Sequence, residues 1–162
     1  MEHLKPFTSS ELKSILKKRP KETKFGEHIL LLPNFNDIYE QLSKLDVSYV
    51  VFGIKEDIGV FANHGKTGTY NAWNATIKIL FNTQSNLHTH AKKVLILGHL
   101  EFDYFQDKLK TLDQTKKKDI QKARKEVANI DASVSHLVSQ IVKAGKIPII
   151  IGGGHNLSLI HI

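Results

Sequence analysis

The sequence predicts an α/β fold in which a parallel sheet is covered by helices on both faces, giving three layers. Three apolar segments are typical of strands buried on both sides: "VSYVVFGI", "VLILGHLEF" and "IPIIIGGGH". Helical patterns separate these segments, and the alternation of strands with helices is typical of parallel sheets. The chain has 162 residues, of which 41% are hydrophobic, so residues 1–162 are predicted to form a single α/β domain.

Residues 1–45 are predicted to form a helical extension ahead of this sheet. Thr8–Lys18 has the pattern of a short polar helix, because hydroxyl side chains suited to capping stand at its start. The stretch "HILLLP" is typical of a short strand. The next stretch, "FNDIYEQLSKL", places Ile38, Leu42 and Leu45 on one face of a helix.

The first predicted strand of the core ends at Gly53, and the second ends at Gly98. Between them lies the segment "KEDIGVFANHGKTGT", predicted as a loop, followed by a helix whose apolar face includes Trp73 and Ile77. The loop is long for a simple connection, and such loops commonly carry functional residues. We therefore expect it to line a site.

The clearest predicted helix runs between Lys116 and Ala144, with Gly145 at its C-terminal cap. Its apolar residues alternate spacings of three and four, which places them on one face. The third strand follows and ends at Gly152. The apolar positions of the helix are Ile120, Ala123, Val127, Ile130, Val134, Leu137 and Ile141.

The composition excludes several classes of function. The net charge is +7, but much of the excess lies between Lys108 and Lys125, where it fits the exposed face of a helix. No recognisable nucleic-acid module accompanies it, so we expect no specific nucleic-acid binding.

No apolar run approaches the roughly 20 residues that a membrane span needs, and the N-terminus lacks the apolar region of a signal peptide. We therefore expect a cytoplasmic protein that does not bind membranes.

The glycine turn after the third strand is the strongest candidate for a functional site. Open parallel sheets bind their ligands beyond the carboxyl ends of the strands, and "GGGHN" follows directly there. The turn could be a tight loop whose His155 bonds locally, a cradle for a phosphate, or a carrier of one metal ligand. The chain has no cysteine, so any metal must be held by His, Asp or Glu.

Several segments together resemble the N-terminal part of the ureohydrolases, the superfamily of arginase, agmatinase and formimidoylglutamase. The most specific is "IPIIIGGGHN" after the helix "VANIDASVSHLVSQIVKAGK", which resembles the first metal-ligand motif of that superfamily. Upstream, "VVFGIKEDIGVFANHGKTGTYNAW", "FNTQSN" and "VLILGH" are similar to formimidoylglutamase-like and arginase-like bacterial members. The resemblance extends from about Val47 to Asn156.

This resemblance implies an arginase-like fold and a site with two manganese ions that hydrolyses a linear amidine or guanidino C–N bond. In such sites two cations share a bridging water and lower its pKa, so that hydroxide forms near neutral pH. His155 matches the first histidine ligand of the superfamily. The residues expected at the edge of the substrate cleft are Gly153, Gly154, Asn156, Glu56, Asp57 and His64.

The remaining metal ligands of the superfamily lie in two later motifs, Asp-x-His-x-Asp and Asp-x-Asp, and neither occurs here. Lys55 stands where relatives commonly have proline, and the tail "LSLIHI" does not continue as the expected helix. His161 could add a second nitrogen ligand, but two histidines without carboxylates make a poor manganese site. We therefore expect an incomplete fold whose catalytic residues are encoded elsewhere, with weak or absent manganese binding and no activity in the isolated chain.

A second hypothesis is a non-catalytic α/β module that uses its glycine-rich edge to bind an anion or a partner, or to assemble. An incomplete sheet leaves an unpaired edge and exposed apolar surface, which favour self-association into a homo-oligomer. The paired histidines of "HTH", His88 and His90, have a chelating pattern. A polar surface loop is the preferred interpretation of that stretch.

Overall fold

Five strands form one sheet in the part of the chain that the structure, a computed structural model, describes: residues 3–32, 36–155 and 157. The strands are β1 (Leu4–Pro6), β2 (Leu30–Leu31), β3 (Tyr49–Lys55), β4 (Val94–Glu101) and β5 (Ile147–Gly152). Their order in the sheet is β1-β4-β3-β5, and β2 also pairs with β4. The strands β3, β4 and β5 are parallel, as predicted, and β2 is parallel to β4.

Helices cover both faces of the sheet, which confirms the predicted mixed α/β class. The helices are α1 (Ser9–Ile15), α2 (Ile38–Lys44), α3 (Ile58–Ala62), α4 (Ala72–Leu80), α5 (Asp103–Leu109) and α6 (Lys117–Lys143). Alternate residues of the central strands point to opposite faces, and each face has its own hydrophobic core. Phe52 and Leu97 pack with residues of α2, α3, α5 and α6, whereas Val51 and Ile96 pack with α4 and α1.

The long helix α6 agrees with its prediction. Six of its seven predicted apolar positions are buried, and Val127 packs partly buried against the same core. Gly145 follows its C-terminus with a φ of 73°, the left-handed conformation that terminates many helices. In the described part of the chain, no helix is both long enough and apolar enough to cross a membrane.

The N-terminal segment 1–45, predicted as a helical extension, contains strands as well as helices. The helix α1 is present, and Thr8 caps it in a reciprocal capping box with Glu11. However, β1 and β2 join the sheet against β4, and β1 runs antiparallel to it. β2 lies within the stretch "HILLLP", where a short strand was predicted. β1 was not predicted, because three residues are too few to show an alternating pattern.

The predicted strand ends at Gly53 and Gly98 are also wrong, because both glycines lie inside strands that continue to Lys55 and Glu101. A Cβ at Gly53 would lie 2.5 Å from the Trp73 ring. A Cβ at Gly98 would collide with the carbonyl oxygen of Lys5. These glycines permit close packing within the sheet region, and Gly152 alone among the three ends a strand.

The segment 55–69 is not simply a loop, since it contains α3, whose residues are all buried. The helix α5, directly after β4, was not predicted either. With five and seven residues, α3 and α5 span too few turns to show the period of an amphipathic helix. Both helices lie at the carboxyl end of the parallel strands.

Candidate functional site

The glycine turn lies at the carboxyl end of β5, beside the central strand β3. Gly152 pairs with Ile54 across the two strands. Gly152 and Gly153 have φ values of 93° and 82°, which side-chain-bearing residues rarely adopt. The chain thereby turns sharply and places His155 in an exposed position directly after Gly154.

Glu56 ties this turn to the segment that follows β3. The Gly154 N–H donates to its Oε1 at 2.5 Å, and the Gly59 N–H donates to its Oε2 at 2.7 Å. Only 1% of Glu56 is exposed. Burial raises the pKa of the carboxyl group, and the backbone hydrogen bonds only partly offset that effect. A single buried side chain therefore holds together two segments that are 98 residues apart.

Asp57 holds the other end of the same segment. Its Oδ1 accepts from the Gly68 N–H at 2.7 Å, the Thr69 hydroxyl at 2.8 Å and the Tyr70 N–H at 3.2 Å. Its Oδ2 accepts from Gln106 Nε2 at 3.1 Å. Burial acts to raise the pKa of Asp57, but these hydrogen bonds outweigh it and the pKa is lowered.

Glu56 and Asp57 are therefore at the predicted edge, but each oxygen of both carboxylates accepts a hydrogen bond from a neighbouring segment. Their role in this structure is to shape the edge. Each carboxylate is thus engaged in hydrogen bonds within the chain. The sequence analysis named both residues but left their hydrogen-bond partners undetermined.

We expect Asp57→Asn to lower the free energy of unfolding by about 2 kcal/mol near neutral pH, because hydrogen bonds to charged groups contribute on the order of 1.5–3 kcal/mol. The folded-state pKa lies below the ordinary value of 3.8, so the contribution is present above that value and is lost as pH falls through the folded pKa. Urea unfolding at a series of pH values measures the difference. An equal cost at neutral and strongly acidic pH would contradict this.

The matched control for Asp57 is Asp103→Asn. The exposed Asp103 carboxylate accepts a hydrogen bond from the Tyr70 hydroxyl at 3.1 Å, close to the same loop. Exposed interactions of this kind contribute little, so the control should change the free energy of unfolding by less than about 1 kcal/mol.

A second polar cluster lies at the ends of β3 and β4. Lys55 and Glu101 are direct partners across the two strands, and Lys55 Nζ lies 2.5 Å from Glu101 Oε1 and 4.6 Å from the centre of the Tyr70 ring. Burial acts to lower the pKa of Lys55, but the hydrogen bonds to Glu101 and Tyr70 and the negative charge of Glu101 together outweigh it, and the pKa is raised. The sequence identified Lys55 only as a lysine at a position where proline is common in the superfamily that the chain resembles. Its partner follows from the register of two parallel strands.

His99 borders this cluster in a largely buried position. Its Nε2 lies 3.7 Å from Glu101 Oε1, and its Nδ1 is buried with no hydrogen-bond partner in the described chain. Burial lowers the pKa of His99, and the positive charge of Lys55 lowers it further, which favours the neutral imidazole.

The other predicted edge residues are placed as follows. Gly153 and Gly154 form the turn, and a Cβ at Gly153 would lie 3.3 Å from Glu56 Oε1. His64 is exposed just after α3, with a left-handed φ of 58°, and its N–H donates to the Phe61 carbonyl. Asn156 and His161 lie outside the described residues.

The described residues do not by themselves fit a pair of manganese ions. Within residues 3–32, 36–155 and 157, no three His, Asp or Glu side chains form a group that could hold a metal ion. Hard cations need several oxygen ligands, and the two buried carboxylates nearest the turn are engaged by backbone and amide donors. His155 is the one residue of the predicted metal motif that the turn presents at this edge.

The segment 55–69 lines a cavity of about 630 Å³, as expected for a long connection at this edge. Phe61, Lys66 and Thr67 form one wall, and Gln106 and Leu109 contribute to the other. None of the described residues of the glycine turn lines it. The cavity is therefore adjacent to the turn's anchoring segment and separate from the turn itself.

The basic residues between Lys108 and Lys125 are largely exposed, as predicted. Four of them pair with nearby carboxylates, and these ion pairs lower the local positive charge. The pairs are Lys108–Glu126, Lys110–Asp107, Lys116–Asp113 and Lys122–Asp119.

No protein-family model, curated protein or solved structure gives a significant match to this chain.

Proposed function

We propose that this chain is the His155-bearing part of a ureohydrolase-type enzyme with an arginase-like fold. The substrate would be a small linear amidine or guanidino compound, as in formimidoylglutamase or arginase. The observation that carries the proposal is the Glu56–Gly154 hydrogen bond. It holds the glycine turn, and with it His155, at the carboxyl edge of three parallel strands, where open α/β sheets bind ligands.

The proposal assigns His155 as one imidazole ligand of a manganese ion. When bound, manganese would supply hydroxide for C–N hydrolysis near neutral pH. The carboxylate ligands would come from outside these 162 residues, because no three His, Asp or Glu side chains of the described residues form a group that could hold a metal ion. The isolated chain would then be inactive and would bind manganese weakly. The reaction would take place in the cytoplasm.

The test is an assay of arginine, agmatine and formimidoylglutamate with added manganese. We expect no hydrolysis above background by the 162-residue chain and turnover by a longer protein that includes the downstream coding sequence. In the longer protein, His155→Ala should lower kcat/KM by at least about 100-fold, since a first ligand matters at least as much as its supporting groups.

His136→Ala is the matched control, because His136 is also an exposed histidine but lies on α6, outside the residues predicted at the cleft edge. It should leave the activity of the longer protein within about twofold, as expected for a substitution outside the reacting groups. Turnover by the 162-residue chain would contradict the proposal that part of the active site comes from outside these residues. Full activity of the longer His155→Ala protein would contradict the ligand assignment.

A non-catalytic binding or assembly module is the second candidate. It is favoured by the hydrogen bonds of Glu56 and Asp57, which use both edge carboxylates to hold the backbone. The apolar side chains of Ile147 and Ile149 on β5 are partly exposed, which favours assembly with another copy. Downstream DNA that encodes no Asp-rich motif in any frame would favour this candidate over the enzyme.

A further inference from the structure

A cavity of about 350 Å³ lies at the amino end of β4, on the opposite edge of the sheet from His155. We call it the basic cavity, and it is lined by His28, Ser85, Leu87, Thr89, His90 and Lys92, together with Asn86, Ala91 and Lys93. It belongs to none of the segments that form the candidate site. Its volume is in the usual range for a small-molecule site.

Among the described residues, the lining of the basic cavity contains no carboxylate. Asp46, which borders Lys93, already forms an ion pair with its Nζ at 2.5 Å. Lys92 is exposed and forms no ion pair with any residue of the described chain. Because Lys93 is paired with Asp46, Lys92 is the lysine of the lining whose charge is not balanced within the described chain, and it makes the cavity a favourable environment for an anion.

Local hydrogen bonds hold the wall of the cavity in place. The Thr89 hydroxyl donates to the Asn86 carbonyl at 2.9 Å and accepts from the Asn86 N–H at 3.2 Å. Ser85 Oγ lies 3.3 Å from Thr89 Oγ1. His90 follows with a left-handed φ of 44°, an uncommon conformation that commonly accompanies functional sites. The wall is therefore formed before any ligand binds.

Leu87 is an apolar residue at this otherwise polar cavity. It is 90% exposed, the highest value among the large hydrophobic residues of the described chain. Isolated exposed leucines are common on protein surfaces. Here, however, the leucine adjoins a cationic cavity, so a ligand that places an anion among the basic groups would also cover apolar surface.

We propose that the basic cavity binds a phosphate monoester with an apolar body. A phosphate group has three strong acceptor oxygens and carries more than one negative charge near neutral pH, which suits a lining that combines the ammonium group of Lys92 with the imidazoles of His28 and His90. A carboxylate offers only two oxygens and one charge. In the bound state, the phosphate would contact Lys92 and the histidines, and the apolar body would cover Leu87.

The experiment is calorimetric titration of the protein with phenyl phosphate and with inorganic phosphate at constant ionic strength. We expect saturable binding of both, with phenyl phosphate about fivefold tighter because it covers Leu87. Lys92→Gln should weaken both by about tenfold, as expected for loss of a charge-assisted hydrogen bond. Leu87→Ser should weaken phenyl phosphate alone.

Lys118→Gln is the control, because it removes one exposed lysine from α6, outside the cavity. It should leave both affinities unchanged. Absence of saturable binding would overturn the proposal, as would equal weakening by Lys92→Gln and Lys118→Gln, which would indicate net charge alone. Equal loss of both ligands on Leu87→Ser would overturn the apolar part of the assignment.

Discussion

Replacing Gly98 with alanine is expected to lower the free energy of unfolding by about 4 kcal/mol, or to prevent folding. Gly98 has a φ of 134°, and a Cβ there would collide with the Lys5 carbonyl oxygen and approach the Phe7 nitrogen to 2.9 Å. Backbone strain of this kind costs on the order of 1–3 kcal/mol, and overpacking costs a similar amount. Both colliding atoms belong to the backbone, so a change of side-chain rotamer cannot relieve the contact.

Gly145→Ala separates the cost of backbone strain from the cost of the steric overlap. Gly145 also has a left-handed φ, of 73°, but a Cβ there would have open space around it. This variant should lose only the conformational contribution, about 1 kcal/mol. Urea unfolding of both variants measures the comparison. Equal losses would mean that the close approach of β1 to β4 contributes nothing at Gly98.

Glu56→Ala is expected to cost about 4 kcal/mol and to loosen the glycine turn. The substitution leaves the N–H groups of Gly59 and Gly154 without their acceptor in a buried position. Each unsatisfied buried group costs on the order of 1–3 kcal/mol, and the removed side chain leaves a void. Urea unfolding measures the cost, and amide hydrogen exchange at Gly154 should accelerate by more than the change in global stability explains.

Glu40→Ala is the control for this substitution. Glu40 forms an exposed i,i+4 ion pair with Lys44 on α2, so its loss should cost no more than about 0.5 kcal/mol. A similar cost for Glu40→Ala and Glu56→Ala would show that the buried hydrogen bonds of Glu56 contribute little to stability.

Glu56→Gln tests the pH dependence of the same group. Because burial raises the folded-state pKa of Glu56 above the ordinary value of 4.5, the protonated carboxyl group contributes stability below that value. This contribution is lost as pH rises through the folded pKa. The cost of Glu56→Gln should therefore be largest in acid and decrease toward neutral pH, opposite to the trend for Asp57→Asn. A cost that grows with pH would contradict the direction of the shift.

The sequence by itself determined the parallel α/β core of this protein. Apolar runs located β3, β4 and β5, and the spacing of residues such as Ile130 and Leu137 located α6. Each of these elements is long enough to show the hydrophobic pattern of a strand or a helix. Local sequence was therefore sufficient to predict them. The capping box at Thr8 could be recognised for the same reason, because its partners lie three residues apart.

Tertiary structure decided how the edge around His155 is built. Gly53 and Gly98 serve close packing because Trp73 and Lys5, distant in sequence, approach them. Glu56 holds the turn because β3 and β5 are neighbours in the sheet, and Lys55 pairs with Glu101 because β3 and β4 share a register. These roles depend on contacts between residues far apart in the chain, and no local spacing encodes them, since such contacts exist only after the strands have paired.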